Sequence, residues 1–170
     1  MSKTERWAFP GELQPKPADV NFDLATALDA VVALRADVPD DASTAPILGT
    51  ERVGSGVVIR EDGLVLTIGY LILEAETIWL TGSNGRAVAG HPLALDFDTG
   101  IGLVAPLGRL EVPSIELGSA AGIMVGDEAY VLGNGGHDHA LKAEVFARRE
   151  FAGTWEYLLE AVSYTHLTLP

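Results

Sequence analysis

Few residues in this 170-residue chain could do chemistry, and none of them is a cysteine. Disulfides, thiolate nucleophiles and cysteine-ligated zinc are therefore excluded. His137-Asp138-His139 follows Asn134-Gly135-Gly136 on an expected loop. Two imidazoles one residue apart can share a metal ion, but the sequence supplies no third ligand, so the segment reads as a solvated loop. His91, just before Pro92, reads as a surface or turn residue. Gly54-Ser55-Gly56 lacks the Gly-Lys-Ser/Thr ending of a phosphate loop and the length of a dinucleotide fingerprint. A close-packed strand is the expectation there. Gly118-Ser119-Ala120-Ala121-Gly122 does not put its serine in the Gly-x-Ser-x-Gly place of a hydrolase elbow. Trp155 and Tyr157 alternate on a strand and could form a ligand shelf, although core packing is their ordinary use. No cofactor and no metal is expected.

The formal charge is −13, from 24 acids against 11 bases. Binding to phosphates needs clustered cations. The adjacent pair Arg148-Arg149 is flanked by acids, so nucleic acid and anionic membrane are not expected as partners. Lys3 and Arg6 precede Phe9-Pro10-Gly11 instead of an apolar run, so no secretory signal is read and a cytoplasmic location is expected. The apolar run around Tyr70–Leu73 is too short to span a bilayer.

The elements that would position such residues are mostly strands. Apolar residues make up 48% of the chain, and 19 glycines and 9 prolines break it into short pieces. Residues 1–22 read as an irregular arm, and Asp23 caps a short helix to Asp29. Val31–Asp37 is a strand, and Pro39–Glu51 a surface loop. Val53–Arg60 and Leu64–Thr67 form a hairpin across Glu61-Asp62-Gly63. Thr77–Thr81 turns through Ser83-Asn84-Gly85-Arg86 into a strand from Ala87, with Asn-Gly as a two-residue turn needing positive φ at both positions. Ile101–Val104, Asp127–Leu132, Lys142–Arg148 and Thr154–Leu159 follow, the last two as a hairpin with Gly153 in its turn. About nine short strands imply a sandwich or a barrel. Ser163–Pro170 resembles translated sequencing-adapter read-through, so it is read as a non-native tail, and the natural chain is expected to continue past Val162.

Four blocks in register resemble the trypsin-like serine peptidases of the HtrA/Deg type. They are Gly54–Ile59 with Glu61–Thr67; Ser83–Arg86; Asp96–Val104; and Leu117-Gly118 with Val125–Glu128 and Leu132–Asn134. The resemblance implies an all-β, chymotrypsin-fold antiparallel barrel: a first barrel over 23–133 and the start of a second over 134–162. It also implies a serine nucleophile, a histidine base and an orienting aspartate.

Carried over position by position, the family's histidine falls at Tyr70 and its aspartate at Gly100. The family's Gly-Asn-Ser-Gly-Gly type nucleophile motif does not occur in the chain. A phenol with a pKa of about 10 holds its proton at pH 7 and cannot serve as an imidazole does. Glycine offers nothing to orient a base, and loss of one triad member costs about 10⁴ in turnover. If the segment is extended, Asp98 lies roughly 6–7 Å too far along the strand to substitute, and Asp96 further still. Where relatives place histidine on a one-turn helix, Tyr70-Leu71-Ile72-Leu73 is apolar or aromatic. That turn either fills a vacated site or makes a groove for a peptide. The expectation is a non-catalytic family member, a pseudoprotease that binds a peptide or protein. The alternative is an active endopeptidase whose nucleophile lies further along.

Overall fold

The computed structural model describes residues 8–151 and 154–161. Asp23 caps helix α1 (Leu24–Asp29): its carboxylate accepts from the Thr26 N–H at 3.1 Å and the Thr26 hydroxyl at 2.7 Å. Strand β1 (Val31–Asp37) then alternates, with Val32, Leu34 and Ala36 fully buried. The loop that follows contains a four-residue helix, α2 (Ala45–Leu48), and Glu51 already belongs to the next strand.

Five more strands close a barrel with β1: β2 (Glu51–Val58), β3 (Val65–Ile68), β4 (Thr77–Thr81), β5 (Ala87–Asp96) and β6 (Ile101–Pro106). Their order is β1-β2-β3-β6-β5-β4, every pairing antiparallel, and β4 returns to β1 with Leu80 opposite Leu34. Barrel closure chooses between the two architectures that periodicity left open, and it removes the unpaired edges of an open sheet. Val32, Leu34, Val58, Val65, Ile78, Leu80 and Val104 fill the interior.

The β4–β5 connection differs from the two-residue turn that Asn-Gly suggests. The Gly82 N–H donates to the Arg86 carbonyl and the Gly85 N–H to the Gly82 carbonyl, so Ser83-Asn84-Gly85 forms a three-residue loop. Gly85 alone takes positive φ, at 78°, as in a type I turn followed by a left-handed residue. The Asn84 side chain accepts through Oδ1 from the Arg86 N–H within the loop and donates from Nδ2 to the carbonyls of Leu110 and Glu111.

A three-stranded antiparallel sheet, β7 (Glu128–Leu132), β8 (Ala140–Phe151) and β9 (Thr154–Ala161), follows the barrel. The barrel's strands end at Pro106, and β7 pairs with β8, Leu132 opposite Ala140. The backbones of Trp155 and Tyr157 run in β9, while their side chains, Gly153 and the tail 163–170 lie outside the described residues. The arm is held down: Phe9 N–H donates to Asp138, Lys142 N–H donates to Leu13, and Pro15 is fully buried.

The barrel's stability depends on this one filled interior. Replacing Leu34 by alanine is expected to cost about 2–5 kcal/mol, read as a lower urea midpoint with an unchanged slope.

Candidate functional site

At the end of β3, Gly69–Leu71 forms a single 3₁₀ turn, with the Ile72 and Leu73 N–H groups closing on the Gly69 carbonyl. Leu71 and Ile72 are 2% and 3% exposed and belong to the barrel core. They fill space, as one of the two sequence readings of this turn held. Tyr70 instead faces outward and is 48% exposed. Its phenol makes no hydrogen bond among the described residues.

Gly100 comes directly alongside. The Gly69 N–H donates to the Gly100 carbonyl at 2.6 Å, and Ile68 pairs with Ile101. A Cβ on Gly69 would stand 3.0 Å from that carbonyl and 2.2 Å from Leu95 Cδ1, so only glycine permits the approach. Gly100 has φ 71° with open space where a side chain would project. Its left-handed backbone closes the turn Phe97–Gly100 between β5 and β6, the Gly100 N–H reaching the Asp96 carbonyl at 2.9 Å.

This turn corrects the extended conformation considered for the segment, so Asp98 does not share a strand face with position 100. Asp96 is occupied. It accepts from the Thr99 hydroxyl at 2.6 Å and the Asp98 N–H at 3.1 Å. The Thr99 bond first, then the Asp98 N–H, hold its carboxyl below the usual range.

Arg52 organises the surroundings, and sequence reasoning missed it. Its side chain lies within the 3% exposure of the residue and makes hydrogen bonds only to uncharged groups. It donates to the carbonyls of Gly49, Tyr70 and Leu73 and to the Thr44 hydroxyl. That hydroxyl donates in turn to Glu74, which also accepts from the Thr44 N–H and from the Ser43 N–H and hydroxyl. Glu74 stands at φ 59°. The Thr44 hydroxyl first, then the Thr44 N–H and Ser43, bring its pKa down to about 2. A lone arginine beside a glycine-rich strand gives no sequence signal for any of this.

The other sequence candidates have structural partners. Ser55 Oγ accepts from the Asn134 N–H at 3.2 Å and Nδ2 at 2.9 Å, while Nδ2 also reaches the Gly54 carbonyl. Cβ atoms on Gly54 and Gly56 would meet Leu71 and Val65 at 2.5 and 2.4 Å, as a close-packed strand requires. His137 Nε2–H donates to the Pro15 carbonyl at 2.7 Å, and His139 Nδ1–H to the Asn134 carbonyl at 3.1 Å. The two rings thus serve separate backbone groups, and no cluster of three ligating side chains occurs among the described residues. His91 is exposed on β5. Among the described residues no helix is long and apolar enough to cross a membrane.

The family model for the trypsin-like peptidase domain matches residues 54–166. A protein of Synechocystis described as the serine protease HhoB is 28% identical over 84 residues, covering 49% of this chain and 20% of that protein. The chain therefore spans about a fifth of that relative's length. Two structures of the HtrA-type protease AlgW with a tripeptide, one a variant form, superpose with TM-scores of 0.65 and 0.58. Each is 20% identical, and they cover 80% and 74% of this chain and 43% and 38% of theirs. At that identity the likeness is one of fold.

Arg52→Met should leave the Tyr70 and Leu73 carbonyls without donors and lower stability by about 3 kcal/mol, whereas Tyr70→Phe should change it by less than about 0.5 kcal/mol. Both are read from urea midpoints. Folding lowers the Glu74 pKa, so its contribution is complete above the ordinary carboxylate range and is lost as pH falls toward 2. Glu74→Gln should remove that part of the acid limb in a series of urea midpoints from neutral pH downward.

Proposed function

Because this chain belongs to the trypsin-like peptidase domain family, we propose that it is a non-catalytic member whose domain binds an extended peptide or protein segment. The observation that carries the reading is the 2.6 Å contact from the Gly69 N–H to the Gly100 carbonyl, which brings the neighbourhoods of Tyr70 and Gly100 together. These are the positions that the resemblance assigns to the base and its orienting acid. One holds a phenol and the other no side chain.

A proton relay needs a group half-ready to accept at working pH, and a second group that fixes its orientation. Tyrosine holds its proton until a pH of about 10. Gly100 cannot orient it, and Asp96 is bonded within its own turn. Reinstating a carboxylate at position 100 would also load a left-handed backbone with a side chain, costing about 1 kcal/mol. The backbone has settled into a turn suited to glycine, consistent with a site no longer arranged around an acid. Peptide binding is proposed because it needs the barrel and its surface but no proton acceptor. The AlgW structures, of the same fold, hold a tripeptide.

The full-length gene product should take up no fluorophosphonate probe and leave casein intact. Stoichiometric labelling of a serine would instead establish the active endopeptidase. Retention of unfolded casein on the immobilised domain, with no cleavage, is the matching positive result.

A further inference from the structure

The barrel's one long strand outruns its neighbour. β5 runs from Ala87 to Asp96, but β4 pairs with it only as far as Gly90. From His91 to Asp96 the strand is bonded on one side, to β6. Its other edge faces a groove of about 290 Å³ walled by Ile72–Ala75 and Pro92–Leu95. The ladder register shows which backbone groups point there. The Leu107 N–H donates to the Ala89 carbonyl, which sets the phase of the ladder. Across the irregularity between Pro92 and Ala94, the pairs Ala94–Leu103 and Asp96–Ile101 resume that phase and turn inward toward β6. The N–H and C=O of Leu95 then face the groove, and no strand among the described residues takes them.

We propose that this groove receives an extended peptide as an added strand, and that the peptide carries apolar side chains flanked by basic ones. A free strand edge offers backbone hydrogen bonds to any extended chain, while the pockets beside it select side chains. Leu93 stands at the irregularity, 56% exposed, and the partly exposed Leu73 and Ala75 face the strand from the opposite wall. The two walls and their continuations, residues 72–76 and 91–98, contain Glu74, Glu76, Asp96 and Asp98 and no lysine or arginine. On a chain of formal charge −13, an acidic rim around an apolar slot favours a cationic segment and repels another copy of the same acidic surface. The inference rests on the peptide-binding part of the proposed function and assigns its site away from Tyr70, which does not line the groove.

The probe is a fluorescein-labelled peptide of alternating valine and threonine flanked by paired lysines, titrated into the 170-residue domain. Strand addition uses every second amide of the peptide, so N-methylation of one phase should weaken binding at least about tenfold and N-methylation of the other less than about twofold. Leu93→Glu, at an exposed position, should weaken binding about tenfold or more, as should exchanging the lysines for glutamates. Backbone amide shifts in the labelled protein should concentrate at Ile72–Ala75 and Leu93–Asp96.

Equal losses for the two N-methyl phases, or no effect of Leu93→Glu, would overturn the groove. So would shifts centred on Ile68, Tyr70 and Ile101, which would leave the peptide-binding reading standing at a different site. Groove shifts that grow with protein concentration before any peptide is added would make the occupant a second copy and overturn the proposal. No binding of the probe would overturn it as well, while retention of casein by the same domain would keep the broader reading separate.

Discussion

A guanidinium that stays charged at any ordinary pH cannot be buried without donating nearly all of its N–H groups. Arg52 meets that demand on backbone carbonyls and a hydroxyl. The acceptors come from the loop before β2 and from the 3₁₀ turn after β3, so one side chain ties two segments distant in sequence to the barrel wall. A negative charge is reached through Thr44, whose hydroxyl accepts from Arg52 and donates to Glu74. The carbonyl of Tyr70 is one of the acceptors. The placement of the turn is thus fixed by its backbone, and whatever side chain stands at position 70 is free of that task.

This separation lets the barrel keep its shape whichever side chains stand at positions 70 and 100. β3 and β6 approach through Gly69 and Gly100, backbone to backbone, and Leu95 packs over the gap. Leu71 and Ile72 anchor the turn from inside. None of these contacts involves an imidazole or a carboxylate. A barrel built so can exchange the groups on its outer turn at little cost in stability, while the loss to proton transfer would be large.

Much of the barrel could be read in the sequence because its causes are local. Alternation in Val31–Asp37, the Asp23 cap and the Glu61-Asp62-Gly63 turn are each decided by residues within one element. The errors lie where distant partners decide. Asn84 gave up the left-handed turn position because its amide reaches Leu110 and Glu111 across the barrel mouth. β7 belongs to the sheet of β8, a membership settled by pairing that periodicity does not reveal. Arg52 and Glu74 were invisible for the same reason: 22 positions apart in number, they are linked through the Thr44 hydroxyl. Gly100 was read as standing at the family's aspartate position, but its turn geometry was not legible, because an Asp-Gly-rich stretch reads equally well as strand or turn.

Closure of the barrel also decides where the domain can meet an extended chain. In an open sheet two whole edges would offer backbone groups, and protection would have to come from bulges, charges or prolines. Here every strand of the barrel has two neighbours, but pairing stops short at some strand ends: β2 meets β3 only over Gly56–Val58, and the part of β5 past Gly90 runs beyond β4. That part carries the features of a guarded edge: Pro92 removes one donor, an irregularity at Leu93 breaks the register, and Glu74 lines one wall while Glu76, Asp96 and Asp98 follow in the flanking residues. Such guards disfavour pairing with identical acidic chains more than pairing with a basic one, since charge repulsion is the term that changes sign between them. Edge protection and partner selection are then the same electrostatic fact, viewed from the two kinds of chain that might approach.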